Sequence, residues 1–124
     1  MPATILLVED AADLRDLYRG ILETSGSTVL AAQDGPEALR IAEAHPEPID
    51  LLVTDLIMPG LGGQEVARRL GTTRPTMKVL YISGYADETT VAAHTPVGPL
   101  LRKPFALDTL RVTVEELLRQ PRPG

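Results

Sequence analysis

Glu9 and Asp10 follow one apolar run of the chain, Asp55 closes another, Ser83 follows a third and Lys103 a fourth. Three carboxylates, a hydroxyl and an ammonium form a set suited to hard cations and to phosphoryl groups. Carboxylates brought together repel one another, so such a cluster calls for a cation or a shared proton. Hard oxygen ligands favour Mg²⁺ or Ca²⁺. Mg²⁺ suits an open site better, because it keeps several waters and binds through one or two carboxylates plus phosphate oxygens. A carboxylate also attacks phosphorus to give an acyl phosphate when cations absorb the charge on the transferring oxygens, and Asp55 is the central candidate for that role. Lys103 would bring a compact positive charge, and Ser83 a hydrogen bond to a phosphoryl oxygen.

Taken singly, each of these residues has a plainer reading. Glu9-Asp10 fits an acidic pair at a helix N-terminus, stabilised by the macrodipole. Asp55 ahead of Pro59-Gly60 fits a turn or cap, Ser83 a turn, and Lys103 a solvated surface position. Their common placement at the ends of apolar runs reverses those readings. His45 and His94 have no second ligand at metal spacing and are read as surface or turn residues. Arg68-Arg69 is read as a solvated helix face, and Met58 and Met77 as packing residues.

The elements that position the set alternate between short apolar runs and helical patterns, which is the mark of βα units around a parallel sheet. Thr4–Val8 suits a strand buried on both faces, and Leu14, Leu17, Tyr18, Ile21 and Leu22 follow at helical spacing up to Gly26. Thr28–Ala32 is a second strand. Asp34 then caps a helix into which Glu37 reaches back, and Pro46 and Pro48 stop it. Residues 49–54 form a third strand, followed by the turn-rich stretch from Met58 to Gly63 and a helix through Val66, Ala67 and Leu70. Residues 78–82 form a fourth strand. The next helix, over 86–94, is the weakest because Thr89, Thr90 and Val91 lower its propensity. Leu100–Arg102 is a short fifth strand, and Leu107, Leu110, Val114, Leu117 and Leu118 line one face of a last helix. The expected fold is α/β: a doubly wound, five-stranded parallel sheet with helices on both faces. Ligands of such sheets bind beyond the carboxyl ends of the strands, where these five residues stand. Residues 1–120 read as one domain and 121–124 as a flexible tail.

Composition narrows the function further. The 124 residues suffice for a core without disulfides, and 44% hydrophobic with 3% aromatic residues implies a largely aliphatic one. A net charge of −5 with scattered basic residues argues against direct nucleic-acid binding. The absence of cysteine excludes thiolate ligands and a cysteine nucleophile. The start of the chain shows no signal-peptide pattern and no run is long enough for membrane insertion, so a cytoplasmic location is expected.

Ile5-Leu6-Leu7-Val8-Glu9-Asp10, Asp55-Leu56-Ile57-Met58-Pro59-Gly60, Ser83-Gly84-Tyr85 and Lys103-Pro104-Phe105 together resemble the receiver domain of two-component response regulators, similar to the chemotaxis regulator. Four fragments in order, each at its strand end, are far more specific than any one alone. The resemblance implies a flavodoxin-like strand order 2-1-3-4-5 and a signalling switch that is not an enzyme. It implies that Asp55 is the phosphoacceptor, with a histidine kinase or histidine phosphotransfer protein as donor. Mg²⁺ is then held by Asp10, Asp55 and the backbone carbonyl of Ile57, with Glu9 helping through water, while Ser83 and Lys103 sense the phosphoryl group. It also implies a cis peptide at Lys103-Pro104.

The pattern departs from the family in places. The position three before the lysine, commonly aromatic, is Leu100. Pro96 and Pro99 interrupt the segment before it. Ile57 and Tyr85 are bulky neighbours of the attacking-water path, and slow self-dephosphorylation is expected. Ser83-Gly84-Tyr85-Ala86 looks more like receivers attached to hybrid sensor kinases. Two other readings stand beside the switch: a degenerate receiver that binds partners without phosphorylation, and an aspartyl-phosphate hydrolase, for which the second acid two residues after Asp55 is missing. A monomer is the default, with dimerisation through the last helix and strand as the alternative.

Overall fold

Apolar runs without alternation become strands only when both faces of a sheet are covered, and the computed structural model shows that arrangement. It describes residues 2–84 and 98–121. The described elements are β1 (Thr4–Val8), α1 (Ala12–Thr24), β2 (Thr28–Ala32), α2 (Gly35–Glu43), β3 (Leu51–Asp55), α3 (Gly63–Thr73), β4 (Lys78–Ser83), β5 (Leu100–Arg102) and α4 (Leu107–Arg119). The five strands form one parallel sheet in the order β2-β1-β3-β4-β5, as expected. The expected helix over 86–94 and residues 122–124 lie outside the described residues.

Successive side chains of a strand point to opposite faces, and the two cores sort accordingly. Ile5, Leu7, Leu51, Val53, Leu80 and Ile82 pack with Tyr18 and Leu22 of α1 and Leu110, Val114 and Leu117 of α4. Leu6, Val8 and Leu52 pack on the other face with Ala38 and Ala42 of α2 and Val66 and Leu70 of α3. Met58 and Met77 are packing residues in this second core.

Local chemistry sets the element ends. Asp34 caps α2 by accepting from the Glu37 N–H at 2.8 Å. Glu37 reaches back one residue further than expected, accepting from the Gln33 N–H at 2.8 Å. Gly26, at φ +89°, turns the chain out of α1. The third strand starts at Leu51 instead of 49; just before it, the Asp50 carboxylate accepts from the Thr4 N–H at 2.8 Å. Leu17 departs from the helical pattern that predicted it: it is 52% exposed on the outer side of α1.

Candidate functional site

The sheet ladder runs on past the strand ends and fixes the residues that follow them. The Glu9 N–H donates to Ala32 at 3.1 Å, the Leu56 N–H to Ile82 at 2.8 Å, and the Lys103 N–H to Ser83 at 2.7 Å. Glu9, Asp55 and Lys103 therefore stand at the carboxyl ends of β1, β3 and β5, along one edge of the sheet. Ser83 ends β4 beside them, since Asp55 pairs with Ile82 and Ser83 with Arg102. The Lys103-Pro104 peptide is cis, as expected.

Glu9, Asp10 and Asp55 each present a carboxylate oxygen within 4.8 Å of the others. Glu9 and Asp55 are buried, and Asp10 opens to solvent. The Lys103 ammonium lies 3.1 Å from Glu9 Oε1 and 3.5 Å from Asp55 Oδ1. The second Glu9 oxygen accepts from the Ala11 N–H at 3.1 Å. Ser83 is buried, and its hydroxyl donates to the Gly84 carbonyl at 3.1 Å. Ile57 stands two residues past β3 with its side chain 44% exposed. The structure thus brings Glu9, Asp10, Asp55 and Lys103 together, with Ser83 and Ile57 at the adjoining strand ends. Tyr85 lies outside the described residues. Leu100 is half-buried and pairs with Tyr81 in the sheet.

Charge in this cluster is unevenly compensated. Burial pushes the Asp55 carboxyl up to about 8, reinforced by its hydrogen bond with Glu9 and by the charges of Glu9 and Asp10, against the opposing pull of Lys103. Asp10 moves down, chiefly through its hydrogen bond with Glu9 and against its partial burial. Asp55 thus holds its proton more tightly than Asp10 does. Burial works against the Lys103 ammonium, but the facing Asp55 and Glu9 carboxylates outweigh it and raise its pKa. One ammonium set against three carboxylates leaves the cluster short of positive charge. A hard divalent cation fits this donor set, which is all oxygen and open on the Asp10 side.

Three contributors escaped the reading of the sequence. Arg15 Nη1 donates to the Glu9 carbonyl at 2.8 Å and ties the first turn of α1 to the loop that bears the acidic pair. Gly63 lets the start of α3 close on β3: a Cβ there would lie 2.2 Å from the Asp55 carbonyl oxygen. The Tyr18 ring stacks on Phe105, two residues beyond Lys103, with centroids 5.5 Å apart and planes at 27°. Only Gly63 left a signal, in the doubled Gly62-Gly63; the other two depend on how α1 lies across the sheet.

Acid pair, central aspartate, hydroxyl and cis-proline lysine at one edge of a 2-1-3-4-5 sheet mark a known module, and the comparison with family models decides the matter. The model of the response regulator receiver domain matches residues 5–115. The chain belongs to this family. Receiver domains are signalling modules of two-component systems. The chain is 38% identical over 121 residues to the sensor kinase CckA of Brucella abortus, covering 95% of this chain and 13% of that protein. It is 37% identical over 125 residues to the response regulator MprA of a Mycobacterium species, covering 99% of this chain and 54% of that protein. The chain thus spans little more than half the length of one relative and a small part of the other. Among solved structures, a receiver domain protein from Clostridium thermocellum superposes with a TM-score of 0.80 at 29% identity, covering 94% of each chain. The receiver domain of the hybrid histidine kinase CckA does so with a TM-score of 0.79 at 33% identity, covering 94% of this chain and all of that one. No helix among the described residues is long and apolar enough to cross a membrane.

Proposed function

We propose that this receiver domain is a phosphorylation switch in which Asp55 accepts a phosphoryl group from the phospho-histidine of a sensor kinase or phosphotransfer protein in the cytoplasm. An Asp55 carboxylate oxygen attacks phosphorus, the P–N bond to the histidine breaks, and the departing imidazole takes up a proton. The observation that carries this reading is the Lys103 ammonium held within 3.5 Å of a buried Asp55 carboxylate that stands beside two further acids.

Mg²⁺ would be held by Asp10, Asp55 and the Ile57 carbonyl, with Glu9 acting through water. When bound, it neutralises charge on the transferring phosphoryl oxygens. Lys103 supplies a second positive charge, 3.5 Å from Asp55 Oδ1. Ser83 turns its hydroxyl from the Gly84 carbonyl to a phosphoryl oxygen. The new charge at Asp55 shifts a two-state equilibrium toward another protein-binding surface, which includes β5 and α4. Ile57 crowds the approach of water to Asp55, which keeps the phosphorylated state long-lived.

The test is intact-mass measurement after incubation with Mg²⁺ and a small acyl phosphate, beside Asp55→Asn. A gain of one phosphoryl group by the wild type alone supports the switch. Rapid turnover of added phosphate esters would favour a hydrolase, and no adduct under any condition would favour a module that binds without phosphorylation.

A further inference from the structure

Lys103 is attached to the sheet by its backbone, but its side chain must reach across to carboxylates carried by β1 and β3. Its N–H bond to Ser83 fixes the start of the loop, not the direction in which that loop leaves. Two residues on, Phe105 is half-buried and packs against the core formed by α1 and α4. The surface it meets is the ring of Tyr18, which is only 4% exposed and lies nearly parallel to it. Stacking of this kind is favourable beyond the area it buries, and it orients both rings.

Tyr18 is placed on the same face of α1 as Arg15, one turn apart. Arg15 holds the Glu9 carbonyl at 2.8 Å, and Tyr18 holds Phe105. A single turn of α1 therefore grips both partners of the Lys103–Glu9 ion pair from behind. A small residue at position 18 would leave Phe105 without its platform, and the loop carrying Lys103 would lose that stop against α1.

We propose that Tyr18 is a positioning residue: through its stack on Phe105 it sets where the Lys103 ammonium stands relative to Glu9 and Asp55. The proposal deepens the phosphoryl-transfer reading, but its test does not depend on transfer. Tyr18 acts on the lysine loop and touches no reacting atom.

The chain has two lysines, Lys78 and Lys103, so the ε-methylene NMR signals of an isotopically labelled sample report Lys103 directly. Lys78, which donates to the Leu117 and Gln120 carbonyls, serves as the internal control. In wild type without metal at neutral pH, the Lys103 ε-methylene should be as rigid as that of Lys78. Tyr18→Leu keeps an apolar side chain and removes the ring; the Lys103 signal should become mobile and move toward the free-lysine position, while Lys78 is unchanged. Tyr18→Phe should restore the wild-type signal. Phe105→Leu breaks the stack from its half-buried side and should reproduce the Tyr18→Leu result if the latter variant folds poorly. A Lys103 signal that is unchanged in folded Tyr18→Leu or Phe105→Leu overturns the proposal, as does a Tyr18→Phe variant that fails to restore it. Where wild type takes up phosphate, transfer to folded Tyr18→Leu should be about tenfold slower, with no further loss when Lys103→Ala is already present; independent losses would overturn it. Failure of wild type to take up phosphate would count against the switch, and the lysine signal would still decide the role of Tyr18.

Discussion

Lys103 Nζ stands 3.1 Å from Glu9 Oε1, an ion pair that joins β5 to β1 across the mouth of the sheet with a carboxylate that is 1% exposed. The pair lies at the centre of the charge balance, yet burial of Asp55, reinforced by Glu9, outweighs the pull of Lys103 and raises the Asp55 pKa to about 8.

That imbalance gives the metal-free protein an inverted pH dependence. The folded Asp55 pKa is raised from 3.8 to about 8, so between these values the folded chain keeps a proton that the unfolded chain has released. Unfolding then loses protons, and stability falls as pH rises through this window. Asp10, shifted down, acts in the opposite sense, stabilising above its ordinary range and losing that stabilisation as pH falls through its lowered pKa. Thermal unfolding in chelator should show a midpoint lower at pH 8 than at pH 6. Mg²⁺ should reverse the trend, because it binds most tightly once Asp55 has lost its proton.

Asp55→Asn removes the strained charge while keeping the shape of the side chain. Without metal at pH 8 the variant should be more stable than wild type by about 1 kcal/mol, or about 4 °C in midpoint. In saturating Mg²⁺ the order should reverse, since wild type alone gains the full binding energy. Calorimetric scans of both proteins in the two conditions read the crossover.

Arg15→Ala should weaken Mg²⁺ binding roughly tenfold, the usual cost of losing a residue that orients a ligand from behind. The Glu9 carbonyl loses its 2.8 Å partner, so the loop bearing Glu9 and Asp10 is no longer held for the ion. Titration calorimetry measures it directly.

Gly63→Ala should be costly although the added group is one methyl. The Cβ would lie 2.2 Å from the Asp55 carbonyl oxygen, and that obstacle is backbone. About 3 kcal/mol of lost stability, the upper end for overpacking, is expected in urea denaturation. Gly71→Ala, with no neighbour near its Cβ, is the control and should not destabilise.

The strands and their carboxyl-end residues were readable because a sheet covered on both faces leaves continuous apolar runs, and the polar residues that close those runs fall on one edge. β1, β2 and β5 matched residue for residue. What a run cannot reveal is how one helix lies over the sheet. Leu17 kept the helical spacing yet points outward, and Arg15 and Tyr18 look like ordinary members of an amphipathic helix until Glu9 and Phe105 are placed beside them. Gly63 was visible as part of a turn, but its contact with the Asp55 carbonyl depends on α3 meeting β3.

The role of Asp55 is tested most directly by trapping the acyl phosphate. The protein is phosphorylated with Mg²⁺ and a small phosphodonor and reduced with borohydride, and its peptides are mapped by mass spectrometry. Reduction of an aspartyl phosphate yields homoserine, and the prediction is that it is found at position 55 and nowhere else. Homoserine at another carboxylate, with Asp55 intact, would contradict the account.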